Sequence, residues 1–277
     1  MNRAREAGIN FLDDARYNDE TGEAPMKTGY SEVVFGQLFR SSRWRRDEVI
    51  LANKLWWEFW PEQSAAQEID ASLGRMGTDH IDLGYAAEPP QGLTVQRLVG
   101  DVTDLIKAGK LRAWGVLNWP AELIAEAAKA ASELEVPGPC AAQLPYNLVI
   151  RSPVEDGEMV QALQDADVSV VASYTLYGGA LTGKYETPGA EGRLVAGLDK
   201  RDYSKALGVG RELIELAGAH KVRPATLAVA FALANPRVAS VLFGATRPEQ
   251  IDENLRALEL VRSKDQTWLD DLRRIVV

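Results

Sequence analysis

Asp13, Tyr17 and Lys54 are the residues of this chain whose types and placement point most directly to chemistry. Asp13 and Asp14 stop a short apolar run, Gly8 to Leu12, with the composition of a buried parallel strand whose C-terminal end opens into solvent. Lys54 closes a second such run, Val49 to Asn53, and a lysine ending a buried strand needs a partner. A carboxylate beside it would hold it charged, and a charged lysine near a phenol lowers the phenol pKa. A tyrosine so tuned can donate a proton to a carbonyl oxygen. The same three residues also fit a structural ion pair at the strand tops with an ordinary surface tyrosine, and spacing does not separate the two. After Lys54 comes LWWEFW, in which Trp56, Trp57, Phe59 and Trp60 fit either the wall of an apolar pocket or a cluster that fastens a long loop.

Two further stretches have the composition of anion sites. Gly244, Ala245, Thr246 and Arg247 lie between the last strand and a helix opening at Pro248, where free amides, an arginine and a threonine would meet a phosphate. A plain capping turn accounts for the same residues, since Thr246 before Pro248 is also a good helix start. Gly178 to Gly183, with Lys184, forms a glycine-rich turn after the preceding strand.

The elements that must carry these residues alternate along the chain. Strands are expected at Gly8–Leu12, Val49–Asn53, His80–Ala86, Leu111–Val116, Cys140–Leu144, Val168–Ser173 and Ala239–Phe243. Between and after them fall helices: one capped by Ser31, then Ala65–Met76, Val95–Ala108, Pro120–Leu134, Val154–Ala166, Lys205–Ala219, Pro224–Ala234, Pro248–Leu260 and Gln266–Ile275. Glu186 to Ser204 has no period and reads as a surface loop. Seven strands alternating with helices, without a composition break, predict one parallel α/β domain over residues 1–277. The steady unit length favours a TIM (β/α)8-type barrel over a doubly wound sheet, and the chain lacks GxGxxG after a strand.

Composition sets limits. A net charge of −9 with interspersed signs argues against nucleic acid as a partner. One cysteine, Cys140, permits no internal disulfide, and two histidines make a structural zinc site untenable. With no signal peptide and no apolar run long enough for a membrane span, the sequence predicts a cytoplasmic protein. His220, ending a helical pattern, is expected to complement the helix dipole.

Longer motifs carry a resemblance. GINFLDDA is similar to GINFFDTA of the aldo-keto reductases, GKLRAWGVLNW to GKIRAIGVSNF, and AAQLPYNLV to a QxxYN strand. VVASYTLYGGALTGKY resembles the segment around SPLxxGxLTGKY, and FGATRPEQIDENLRAL resembles GATxxxQLxEN. The likeness runs from Arg5 to about Leu260, and WRRDEVILANKLWW points to the branch that includes potassium-channel β subunits. The resemblance implies a barrel that binds NADPH and passes hydride to an aldehyde or ketone, with Asp13, Tyr17 and Lys54 catalytic. It implies that Asn118 and Gln143 hold the nicotinamide amide, and that Ser173, Tyr174, Leu176, Gly178, Gly179, Leu181 and Lys184 line the ring and pyrophosphate. Gly244, Thr246, Arg247, Gln250, Glu253 and Asn254 match the site for the adenosine and its 2′-phosphate, and Trp56, Trp57, Ala87 and Trp119 the substrate pocket.

The departures from the family pattern are specific. The family tyrosine falls at Asn18, so Tyr17 serves only if the loop is one residue shorter; the usual histidine is Ala87; and the ring that stacks on nicotinamide is Ser173, with Tyr174 beside it. No counterpart of the family's first strand precedes Ala7, which predicts seven strands and a start placed too far downstream. Three functions stand on these residues: a reductase of a small carbonyl compound, an NADP(H)-binding regulatory or weakly active protein, and a Schiff-base enzyme using Lys54.

Overall fold

Apolar runs of strand length, separated by amphipathic helices, are realised as an α/β chain in a computed structural model. It describes residues 1–20, 22–187, 189–192, 194, 202–263 and 265–275, so residues 188, 193 and 195–201 of the loop expected from Glu186 to Ser204 lie outside the described residues. Two compact units share the chain, Met1–Gln143 with Glu158–Val168, and Leu144–Gly157 with Ser169–Val277.

The first unit opens with α1 (Asn2–Glu6), β1 (Phe11–Asp13), α2 (Tyr30–Ser41) and β2 (Ile50–Leu55). It continues through α3 (Ala65–Met76), β3 (Ile81–Ala86), α4 (Val95–Lys107), β4 (Leu111–Leu117) and α5 (Ala121–Glu133) to β5 (Ala141–Pro145) at its boundary. The strands pair in parallel and in chain order, with Asp13 opposite Ala52, Lys54 opposite Tyr85, Tyr85 opposite Gly115, and Leu117 opposite Gln143. Side chains alternate along a strand, so this register sets Asp13, Lys54, Tyr85 and Gln143 on one face. The helices cover the other. There Asn53 donates to Glu32 of α2 at 2.8 Å and Arg75 of α3 to the same carboxylate at 2.6 Å. Gly36 lets α2 approach α3, for a methyl group at that position would collide with the Met76 carbonyl.

The second unit contains α6 (Ser152–Glu155), β6 (Ser169–Ser173), α8 (Ser204–His220), α9 (Pro224–Leu233), β7 (Val238–Val241), α10 (Pro248–Arg262) and α11 (Thr267–Arg273), while α7 (Gly157–Asp165) returns to the first. β6 and β7 are parallel, with Val170 opposite Val238. α9 is buried on every side from Ala225 to Ala232. Its Thr226 hydroxyl donates to the Glu253 carbonyl of α10 at 2.8 Å.

Most expected elements are found within a residue or two of their predicted limits, but some local readings change. The helix expected over Val154–Ala166 is two helices, because Asp156 is extended, with ψ 139°, between α6 and α7. Ser31 is not an N-cap. Gly29, at φ 78°, precedes α2, and the Ser31 hydroxyl donates to the Ala15 carbonyl at 2.5 Å. Thr246 likewise yields the N-cap position of α10 to Arg247. His220 ends α8 as expected, with Nε2 2.9 Å from Asp271.

Asp14, just past β1, has one carboxylate oxygen buried without a partner. Burial, and then the Glu32 charge, push its carboxyl up to about 6, against the pull of the Ala15 amide and Lys54. A folded-state pKa above the ordinary carboxylate value means that the fold favours the protonated acid, so stability falls as pH rises through that range. Asp14→Asn should therefore raise stability by roughly 1–3 kcal/mol at about pH 8 and leave it unchanged near pH 4, as read by urea denaturation at both.

Candidate active site

Lys54 carries the one buried ammonium on this strand face, and the end of β1 is built to receive it. Its side chain is 3% exposed; Nζ donates to Asp13 Oδ2 and, at 2.9 Å, to the backbone carbonyl of Asp14. The third neighbour is the Tyr85 ring, whose centroid lies 5.7 Å from the ammonium. Burial pushes the Asp13 carboxyl above its usual range and the Lys54 ammonium below its own, and their mutual contact opposes both shifts. Gln143 Nε2 reaches the same Asp13 oxygen at 3.4 Å. Asp13 Oδ1 and Gln143 Oε1 are buried acceptors without a protein partner.

The structure brings Asp13, Lys54 and Gln143 together; Tyr17 stands differently. It is 56% exposed, at the foot of a hairpin in which the Gly29 amide donates to the Tyr17 carbonyl at 2.9 Å. The phenol nearest Lys54 by register is Tyr85, fully buried, with its hydroxyl unpartnered and pushed upward by burial and by the Asp13 charge. Sequence reading passed over Tyr85 because YAA reads as strand core; the strand register supplies the missing signal. Ala87 follows β3, its amide donating to the Leu55 carbonyl at 2.8 Å. Trp57 is buried in the loop after β2 and Trp56 is part-exposed, while Trp119 is buried after β4 with its indole N–H unpartnered. Asn118 turns the chain there in the left-handed region, at φ 57°, and its amide donates to the Gln143 carbonyl at 3.0 Å.

In the second unit the glycine-rich stretch coils into short 3-10 turns, Tyr177–Thr182 and Lys184–Glu186. Gly178 and Gly179 both take positive φ, 61° and 97°, conformations that a side chain resists. The Leu176 carbonyl accepts from the Gly179 and Leu181 amides at 2.9 and 3.3 Å, and Lys184 lies over the Tyr185 ring at 4.9 Å. Ser173 ends β6 and its carbonyl accepts from the Tyr146 amide; the Tyr174 ring is 38% exposed. Gly244, Thr246 and Arg247 are exposed before α10. Gln250 Oε1 accepts from the Thr246 and Arg247 amides at 2.8 and 3.1 Å, so this side chain caps the helix. Asn254 is buried, and Glu253 pairs with Arg223 at 3.4 Å.

A cavity of about 550 Å³ in the first unit is lined by Phe35, Phe39, Trp44, Arg40 and Arg46 at the N-terminal end of β2. Its arginines are committed, Arg46 to Asp82 at 2.7 Å and Arg40 to the Met76 carbonyl at 3.3 Å. Among the described residues no cluster of His, Cys, Asp and Glu is arranged to hold a metal, and no helix is long and apolar enough to cross a membrane.

The model of the Aldo/keto reductase family matches residues 1–270. A probable voltage-gated potassium channel subunit beta of Oryza sativa subsp. japonica is 29% identical over 297 residues, covering 100% of this chain and 86% of its own. Its Arabidopsis thaliana counterpart is 28% identical, with 98% and 84% covered. L-glyceraldehyde 3-phosphate reductase of Escherichia coli strain K12 is 29% identical over 275 residues, with 93% and 77% covered.

Removing one partner of the Asp13–Lys54 pair strands the other charge. Lys54→Met should destabilise the fold by about 3–5 kcal/mol at neutral pH, and the Asp13→Asn/Lys54→Met pair by less than the two single changes summed. The Lys54→Met deficit shrinks as the pH is lowered, because Asp13 then takes up a proton. Urea denaturation of the four proteins across pH checks both statements.

Proposed function

This chain belongs to the aldo/keto reductase family, and on that premise we propose that it is an NADPH-dependent oxidoreductase reducing an aldehyde or ketone. The observation that carries the reading is the buried Asp13–Lys54 contact on one strand face with Gln143, two of whose acceptors have no protein partner. Such acceptors suit the N–H donors of a nicotinamide carboxamide, which Gln143 and Asn118 would hold. The glycine turn from Gly178 to Gly183, with Ser173, Tyr174, Leu176 and Lys184, fits a pyrophosphate in its backbone conformation. The exposed side chains of Thr246 and Arg247 before α10 fit the 2′-phosphate that distinguishes NADPH from NADH.

The bound cofactor supplies hydride. In this reading the Tyr17 hydroxyl would give its proton to the oxygen of the carbonyl compound as that carbonyl is reduced to an alcohol. Lys54, held charged by Asp13, would favour the phenolate that this transfer leaves. Ala87 offers no polarising group at the position where the family has histidine, so the rate depends more heavily on the phenol and Lys54. Trp56 and Trp57 favour an apolar or flat carbonyl compound, and the Escherichia coli relative adds a phosphorylated aldehyde to the compounds worth screening. Cys140 as sole cysteine supports a reducing, cytoplasmic setting.

A second reading, an NADP(H)-binding regulatory protein with little turnover, draws support from the exposure of Tyr17 and from the channel-subunit relatives. Both readings expect NADPH to quench tryptophan fluorescence saturably, and Arg247→Ala to weaken NADPH binding roughly tenfold while sparing NADH. They part at Tyr17→Phe. The reductase reading expects kcat for aldehyde reduction to fall by about 10²-fold or more. Unchanged kcat in Tyr17→Phe removes this residue as donor, and Tyr85→Phe, measured beside it, then shows whether the buried phenol serves instead.

A further inference from the structure

Arg16 lies in the chain between Asp14 and Tyr17, and its guanidinium is buried among polar partners. Its side chain is 5% exposed. Nη1 donates to Thr28 Oγ1 at 2.8 Å and approaches Asn18 Oδ1 at 3.5 Å, which places both arms of the hairpin after β1 on one guanidinium edge. These arms also pair through their backbones, the Asp19 amide donating to the Lys27 carbonyl at 2.8 Å. Nη2 donates to Glu58 Oε2 at 2.6 Å, and Glu58 Oε1 accepts in turn from Asn18 Nδ2 at 3.0 Å. Nε stands 3.8 Å from Glu68 Oε1, and the guanidinium carbon 5.4 Å from the Phe59 ring centroid.

Glu68, on α3, closes the other side. Its two oxygens accept the Trp56 and Trp57 amides at 2.9 and 3.0 Å, at a point where Trp57 takes φ 50°. That conformation is strained for a bulky residue and holds only where its surroundings fix it. Burial raises the Glu68 carboxyl, while the two amides and Arg16 pull it back. One guanidinium thus joins the loop that carries Tyr17 to the loop that carries the tryptophans, on either side of Asp13 and Lys54.

We propose that Arg16 is a positioning residue that couples these two loops, so that the proton donor and the substrate wall are held as one unit. This rests on the reductase reading for its kinetic consequence but not for its structural one. A planar fork presents its donors to Glu58, Thr28 and Glu68 in fixed, spread directions, whereas the three rotatable donors of an ammonium radiate from a single nitrogen. Residues near a reacting centre lose rate or affinity steeply when displaced.

The test uses the full chain, Arg16→Lys and Glu58→Gln, with native-state hydrogen exchange and with NADPH oxidation driven by glyceraldehyde 3-phosphate and by benzaldehyde. Arg16→Lys should speed exchange at residues 17–19 and at residues 56–58 together, while the β2 and β3 amides keep their protection. Its KM for aldehyde should rise roughly tenfold, with the NADPH dissociation constant unchanged and kcat altered less. Glu58→Gln, which keeps an acceptor oxygen, should show a smaller version of both. Exchange that rises in one loop alone, in neither, or throughout the unit overturns the coupling, whatever the activity. An unaltered KM in a parent that does turn over also overturns it, whereas a parent without turnover but with coupled exchange overturns only the reductase reading.

Discussion

A lysine ammonium inside a parallel sheet is the constraint around which the first unit is arranged. Desolvating that charge costs several kcal/mol unless a carboxylate and further acceptors meet it, and here the last residue of β1 and the carbonyl after it do so. The demand reaches backward into the chain. β1 is only three residues long, yet its register against β2 must be kept, because a slip by one residue would turn Asp13 to the helix side. On that other side Glu32, Asn53 and Arg75 solve a second buried-charge problem independently. Asp14 is the point where the two meet, pulled by Lys54 and pushed by Glu32.

The second unit is shaped by different means. Backbone conformation, rather than buried charge, shapes the turn at Gly178 and Gly179. The end of α10 is organised by Gln250, whose single oxygen serves two amides. Those amides are therefore satisfied within the protein itself. Lys184, resting on the Tyr185 ring, remains exposed and can leave that ring at small cost.

Elements were legible in this sequence where periodicity is strong. Ala65 to Met76 begins and ends where its capping box at Ser64 and its Gly77 stop predict. Boundaries that depend on a single side chain were not: Ser31 and Thr246 both have N-cap chemistry, yet the Ala15 carbonyl claims the one hydroxyl and Gln250, four residues on, the other. The Asp13–Lys54 contact followed from residue type alone, since a buried lysine leaves few alternatives. Tyr85, Arg16 and Glu68 could not be read, because their meaning lies in register and in contacts between residues far apart in sequence. Arg16 resembles any loop arginine until Glu58 and Glu68, 42 and 52 positions away, are seen to converge on it.

A helix without a polar face has a history as well as a place. Leu227, Val229 and Phe231 of α9 are as deeply buried as its alanines, and α10 packs against it through the Thr226 hydroxyl. During synthesis, α9 leaves the ribosome before α10 and α11, which follow it in the chain. For that interval an apolar cylinder of ten residues has no cover from them. Exposed apolar surface of this kind favours aggregation, so the order in which the chain is made bears on this helix as well as the stability it finally reaches.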